Sequence, residues 1–229
     1  MATTWAEARR ALRLPLRRPW WFLWSIAYAA AVYAPSQRAG LLDIDDPMWV
    51  VTVGVVLLLS PIYHAVLIPS ISAAWRDAPS PWRSVLADAG RAFPQLVIGE
   101  LLANAAVICG SILLIVPGIY IGVRFAFYKQ AILLHRRAAV GSIQESYARI
   151  RTARGFATVL AVLAVFYSAG IGAESLLLLA APSWFIHVGS VGLSGALLVW
   201  VNALLTAGYE IERAAGERAV GAEDSRGSG

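Results

Sequence analysis

The stretch SILLIVPGIYIGVRFAFYKQAILLHRR, residues 111–137, decides the fold. Aliphatic and aromatic side chains fill it, yet it holds Pro117-Gly118, then Arg124, then Lys129, the only lysine in the chain. What such a run means depends on its solvent, and the rest of the sequence settles that. Of 229 residues, 59% are apolar and 14% charged, and the mean hydropathy is +0.64. A soluble domain averages about 45–50% apolar and about 25% charged residues. Charge is therefore too scarce to cover a surface facing water, and the apolar residues fall in runs that suit a bilayer.

A span needs about 20 apolar residues. Six segments answer to that: residues 20–34, 48–75, 93–116, 117–134, 156–181 and 184–209. The first is short, and Leu14 and Leu16 extend it. Pro61 and Pro69 interrupt the second, where a membrane helix kinks rather than ends because neighbouring helices satisfy the freed backbone groups. The runs lack the period-2 alternation and the many ten-residue segments of a barrel. The expected fold is all-α: a polytopic membrane protein with six transmembrane helices. Its parts are a basic cytoplasmic segment (1–19), a membrane domain (20–209) and a polar cytoplasmic tail (210–229).

The connections set the orientation. Arg9, Arg10, Arg13, Arg17 and Arg18 precede the first span, and the next loop has Arg38 against Asp43, Asp45 and Asp46. Arg76, Arg83 and Arg91 follow the second span, while the Pro117-Gly118 turn is uncharged. Arg136, Arg137, Arg149, Arg151 and Arg154 come next, then an uncharged turn at 181–183, then Arg213 and Arg218. Arginine-rich and arginine-poor connections alternate, which by the positive-inside rule puts both termini in the cytoplasm. The basic start, the apolar run and the VYA ending at Ala34 also fit a cleaved signal peptide. The tryptophans of that run suit a retained anchor better, and either reading leaves the later topology unchanged.

The formal charge of +5 and the pI near 9.7 do not point to nucleic acid. The arginines lie between apolar runs, with no basic-aromatic groove pattern. Two of these connections read as amphipathic helices on the inner leaflet. Residues 80–91 offer Trp82, Val85, Leu86 and Ala89 on one side. Residues 142–154 offer Ile143, Tyr147 and Ile150, with Ser146 between them and Arg149, Arg151 and Arg154 reaching toward lipid phosphates. The expected partners are membrane lipids with anionic headgroups on the cytoplasmic side, with room for a partner protein. Ser60-Pro61-Ile62-Tyr63 echoes Pro117-Gly118-Ile119-Tyr120, so a hairpin unit is a candidate repeat.

In the opening stretch, Pro117-Gly118 reads as an outer hairpin turn: proline tolerates a helix start and glycine a tight reversal. Arg124 then lies about 10 Å below the outer end at 1.5 Å rise per residue. A guanidinium at that depth costs roughly a few kcal/mol unless it is paired or wet. Glu174 in the fifth segment falls at a similar depth and is its expected partner. Lys129 lies about 8 Å from the inner end, near the depth of Glu100. It either pairs with Glu100 or snorkels to the headgroups. Arg124 and Lys129 are about 140° apart around a helix and do not form one site. These charges, with Asn104 and Asn202, read either as glue between helices or as the lining of a polar cavity. No intramembrane histidine is expected near Lys129.

Cys109, the only cysteine, reads as a buried thiol. His64, His135 and His187 are scattered, so neither a metal nor a cofactor site is expected. No G-x-S-x-G, H-E-x-x-H or P-loop is present, and the chain is expected to be non-enzymatic.

LLIVPGIYIGVRFAFYKQAILL followed by AVGSIQESYARIRTARGF resembles the membrane domain of bacterial glycerophosphoryl diester phosphodiesterases and related free-standing multi-pass proteins. Pro117, Gly118, Tyr120 and Arg124 match its hairpin. Ser146 matches the serine of its amphipathic helix, and GYEIERAAGE its closing segment. Ser142-Ile143 stands where Ala-Leu is usual, and His135 where an acidic residue often ends the span. The resemblance implies a helical domain in the bacterial cytoplasmic membrane. It carries no phosphodiesterase activity, because the catalytic domain is missing.

Overall fold

The computed structural model describes the backbone of residues 5–36, 47–79, 81–180 and 183–227. Side chains at 5, 33–36, 47–49, 154, 174, 177–180, 183–187 and 216–227 lie outside the description. Every described element is helical. In order they are α1 (Trp5–Arg13), a 3-10 turn (Pro15–Arg17), α2 (Pro19–Ser36), α3 (Pro47–Trp75), α4 (Trp82–Leu113), α5 (Ile115–Arg124), α6 (Tyr128–His135), α7 (Ala139–Arg149), α8 (Ala153–Ala180) and α9 (Ser183–Gly227). Among the described residues, four stretches are long and apolar enough to cross a membrane: Val50–Trp75, Trp82–Leu113, Gly155–Ala173 and Val188–Ala215.

α3 runs through Pro61 and Pro69 without ending. Each proline removes one backbone donor, and the packed bundle absorbs that loss. The segment at 80–91 is not a separate interfacial helix. α4 is continuous from Trp82 through Pro94 to Leu113. α9 likewise carries the sixth segment on through Glu210 into what reads as a polar tail. The loop around Arg38 and the 181–182 turn lie outside the described residues.

The fourth segment departs most from its sequence reading. The reversal from α4 falls at Leu114, whose φ of −166° and ψ of 149° are ordinary extended backbone. It does not fall at Pro117-Gly118. Pro117 sits in the first turn of α5, where its missing N–H would lack a helical partner anyway. Gly118 serves close approach instead. A Cβ there would collide with Ser111 Oγ and meet Ser111 Cα at 3.0 Å, and one on Gly110 would meet the Gly118 backbone at 3.1 Å. Small residues that bring backbones together are how helices associate where lipid removes the hydrophobic drive. The segment then breaks at residues 125–127 into α5 and α6 rather than forming one span over 117–134.

α2, α3 and α9 pack around Leu14, Trp21, Tyr63, Leu67, Ile71, Val199 and Ala203. α3, α4 and α6 meet at Ala65, Leu96, Ala103, Tyr128 and Ile132. A third cluster, Val123, Phe127, Ala131, Ile150, Val159 and Tyr209, joins α5 and α6 to α8 and α9. α8 lies at the edge, with only 6% of its apolar window buried. Ile112, Leu113 and Val116 at the α4–α5 tip are more than two-thirds exposed, an apolar patch that suits lipid and not water. Cys109 is exposed on that arm, not buried. Apolarity in the sequence does not separate a core position from a lipid-facing one.

Candidate functional site

α3, α4 and α6 each bring polar side chains to one point inside the bundle. Lys129 Nζ lies 3.0 Å from Glu100 Oε1. Ser60 Oγ donates to the same oxygen at 2.7 Å, and Nζ also reaches Ser60 Oγ at 3.4 Å. His64 Nδ1 is 2.7 Å from the carbonyl of Ser60, one turn back on its own helix. That distance makes Nδ1–H the donor and leaves Nε2 with its lone pair. His64 Nδ1 lies 3.3 Å from Lys129 Nζ, so a histidine does sit beside the lysine, contrary to the sequence reading. The i, i+4 spacing of Ser60 and His64 on one helix face was the available signal. Glu100 and Ser60 are buried, and Glu100 Oε2 has no hydrogen-bond partner among the described residues. The stacked rings of Tyr28 and Tyr63, 4.3 Å apart, lie beside the cluster, with Tyr63 edge-on to His64.

Arg124 belongs to a different place. Its guanidinium donates to the carbonyl of Ile150 and at 3.4 Å to that of Tyr147, so it caps the C-terminal end of α7. Tyr120, Tyr147 and Phe156 surround it at 5.0, 4.7 and 5.9 Å. The side chain of Glu174 lies outside the described residues, and the backbone does not bring the two together. α8 is one helix from Ala153 to Ala180, and 18 residues separate Phe156 from Glu174 (174 − 156), or about 27 Å of rise. The equal-depth argument took Pro117 as the outer end of the fourth span, and the reversal at Leu114 removes that starting point.

Ser146 occupies the break. Buried on α7, its Oγ donates to the carbonyl of Arg124 at 2.7 Å and accepts from the N–H of Phe127 at 3.0 Å. One hydroxyl thus satisfies a carbonyl and an N–H freed where α5 stops and α6 starts. The buried face of α7 carries Ala139, Ser142 and Ser146. Tyr147, expected on the apolar side, is exposed.

A third network closes the arginine-rich end. Glu145 Oε1 accepts from Tyr209 OH at 2.8 Å and from Arg149 at 2.7 and 2.9 Å, with His135 Nδ1 at 3.0 Å. Arg137 Nε lies 2.9 Å from Oε2. Burial pushes the Glu145 carboxyl up, but the Tyr209 and Arg149 hydrogen bonds outweigh it and hold the group below the usual carboxylate range. Arg149 also stacks on the Tyr209 ring at 4.5 Å. Nearby, buried Glu210 accepts from Ser72 at 2.6 Å and from Arg76 at 2.9 Å. Arg151 is exposed, and the side chains of Arg154 and His187 lie outside the described residues. Asn104 is exposed, and Asn202 donates to Leu198 on its own helix at 2.9 Å. Asn202 also hydrogen-bonds the side chain of Tyr63 on α3, the interhelical bond read from the sequence, and the exposed Asn104 makes none among the described residues. No group of three metal-ligating side chains forms among the described residues.

No family model, no curated protein and no solved structure matches this chain.

Proposed function

We propose that the chain is a non-enzymatic integral component of the bacterial cytoplasmic membrane that serves envelope, transport or lipid-linked processes. It has six spans, with both termini in the cytoplasm. α2 and the broken α5–α6 pair supply the two spans beyond the four apolar helices. The orientation is supported by ion pairs that join the arginine-rich connections to one another: Arg10 to Asp77, Arg136 to Asp88, and Arg76 to Glu210. The resemblance to the phosphodiesterase membrane domain is part of the same proposal. Arg124, Ser146 and Tyr209, which lie in the resembling segments, converge around α7.

The observation that carries the non-enzymatic reading is the Lys129–Glu100 contact. Lys129 and the Oε1 of Glu100 are engaged between helices, by each other and by Ser60, so they act as glue between α3, α4 and α6. The test is a pair of single replacements and their combination. Lys129→Met or Glu100→Leu leaves one charge stranded, which costs about 3–5 kcal/mol for a buried pair. The double replacement restores the folded protein, read as the amount recovered from membranes and the melting temperature in detergent.

One observation favours a second reading, a small transporter with a polar intramembrane cavity. Glu100 Oε2 is buried without a hydrogen-bond partner among the described residues, and His64 stands in the same cluster beside Lys129, a grouping suited to carrying a proton. In that case the double replacement folds but abolishes pH-driven uptake in proteoliposomes.

A further inference from the structure

The inner ends of α1 and α3 frame a cavity of about 360 Å³, lined by Leu14, Arg17, Arg18, Ala74, Asp77, Ala78 and Pro79. Its size is that of small-molecule sites, about 300–1,000 Å³. Its walls carry charges of opposite sign. On one side the 3-10 turn presents Arg17 and Arg18. Both are exposed, and neither guanidinium has a carboxylate partner among the described residues. On the other side stands Asp77.

Asp77 is held in place. It takes the left-handed conformation, φ 53°, that ends α3, one that aspartate tolerates better than most residues. Ala78 N–H closes back onto the carbonyl of Ala73 at 2.8 Å. Arg10 then clamps the turn, donating to Asp77 Oδ2 at 2.6 Å and to the carbonyl of Trp75 at 2.7 Å, with its guanidinium 4.8 Å above the Trp75 ring. Oδ1 is left without a partner among the described residues. Next to the cavity, Leu16, Trp20 and Leu23 are exposed at 65%, 40% and 70%. Their spacing of four and then three residues leads from the 3-10 turn along the outside of α2.

We propose that this cavity binds the headgroup of a zwitterionic phospholipid of the phosphatidylethanolamine type. The phosphate takes the fork donors of Arg17 and Arg18, the ammonium donates to Asp77 Oδ1, and the acyl chains lie along Leu16, Trp20 and Leu23. A simple basic patch would take any anionic lipid, but a fixed carboxylate opposite the arginines asks for a lipid with an N–H donor. Phosphatidylcholine has the charge without the N–H, and phosphatidylglycerol has the phosphate without the cation.

Native mass spectrometry of the full chain, released from nanodiscs with equal parts of the three lipids, tests the assignment. The expected result is roughly tenfold retention of phosphatidylethanolamine over the other two, the scale of one charge-assisted hydrogen bond. Equal retention of all three overturns it without any variant. Arg17→Ala/Arg18→Ala lowers retention of every phospholipid. Asp77→Asn lowers only the ethanolamine preference, bringing it level with phosphatidylglycerol. Arg10→Ala removes the clamp but keeps the Asp77 carboxylate, and it lowers the preference no further than Asp77→Asn does. If Asp77→Asn keeps the full preference, the carboxylate is not the reader and the assignment falls. Water-soluble glycerophosphoethanolamine competes weakly, because it lacks chains to lie on α2. If it competes as well as the lipid, the lipid assignment is overturned. None of these outcomes depends on whether the Lys129 cluster is glue or pathway.

Discussion

Ser146 and Arg124 cap each other's helices. The serine hydroxyl bonds the carbonyl of Arg124 at the end of α5, and the arginine's guanidinium bonds the carbonyl of Ile150 at the end of α7. A break that would otherwise leave buried backbone unpaired is closed by one short side chain, and the helix that lends it is closed in return.

Ser146→Ala therefore strands the carbonyl of Arg124 and the N–H of Phe127 together. The expected loss is about 1–3 kcal/mol for each unsatisfied buried group, read as a lower unfolding midpoint in detergent. Ser146→Cys, close in shape but a weaker hydrogen-bonding group, falls between. A midpoint unchanged in Ser146→Ala would show that the break needs no serine.

Arg124→Lys tests the other half of the exchange. Lysine keeps the charge but not the planar fork that reaches two carbonyls from within three aromatic rings. The expected result is a loss most of the way to that of Arg124→Ala. Glu174→Ala, by contrast, leaves stability unchanged. A matching loss in Glu174→Ala would restore the pairing that the backbone of α8 argues against.

Much of this molecule is legible from its sequence, and the limits follow from physics. Hydrocarbon needs long apolar runs, so the spans at α3, α4, α8 and α9 can be read directly. Depth along a span can be counted only while the helix is unbroken. Lys129 and Glu100 were placed level from the inner side and do meet. Arg124 was counted from Pro117 as the outer end, but the reversal lies at Leu114, so the count began from the wrong place. Ser146 carries no pattern of its own, and the i, i+4 pair Ser60 and His64 only a faint one, because a serine in an apolar run bonds a helix backbone as readily as a neighbouring helix. Cys109 shows the remaining blind spot: in lipid, the outside of the bundle is as apolar as the inside.

Gly118→Val should push α5 away from α4. The added atoms meet Ser111 at its Cα as well as at its hydroxyl, so turning the serine does not relieve them. Overpacking of this kind costs about 1–3 kcal/mol. The expected readout is a lower melting temperature, with Ser111→Gly in the same chain recovering part of it. Full tolerance of valine would mean that the two backbones do not approach as described.

Glu145 gives the arginine-rich end an acid limit. Its carboxyl titrates below the usual range when folded, so its stabilising effect is complete above the unfolded carboxylate value. The effect fades as pH falls through the lower, folded value. Thermal stability measured from neutral pH downward should drop more steeply in the parent than in Glu145→Gln, which starts lower and lacks this titration. Parallel curves would remove Glu145 from the account.

The orientation has its own test. Single cysteines replacing Arg38 and Arg151, in a chain with Cys109→Ala, should react with an impermeant maleimide from opposite sides of the membrane. Reaction of both from one side would undo the six-span topology.

Lys129 is the only lysine in the chain, and it is tied into the contact among α3, α4 and α6. Amine-directed reagents therefore have one ε-amino target, and that target is engaged whenever those helices are together. Its rate of acetylation is a clock for their separation: it times the breathing of the bundle without any engineered probe and would quicken in any variant that loosens it.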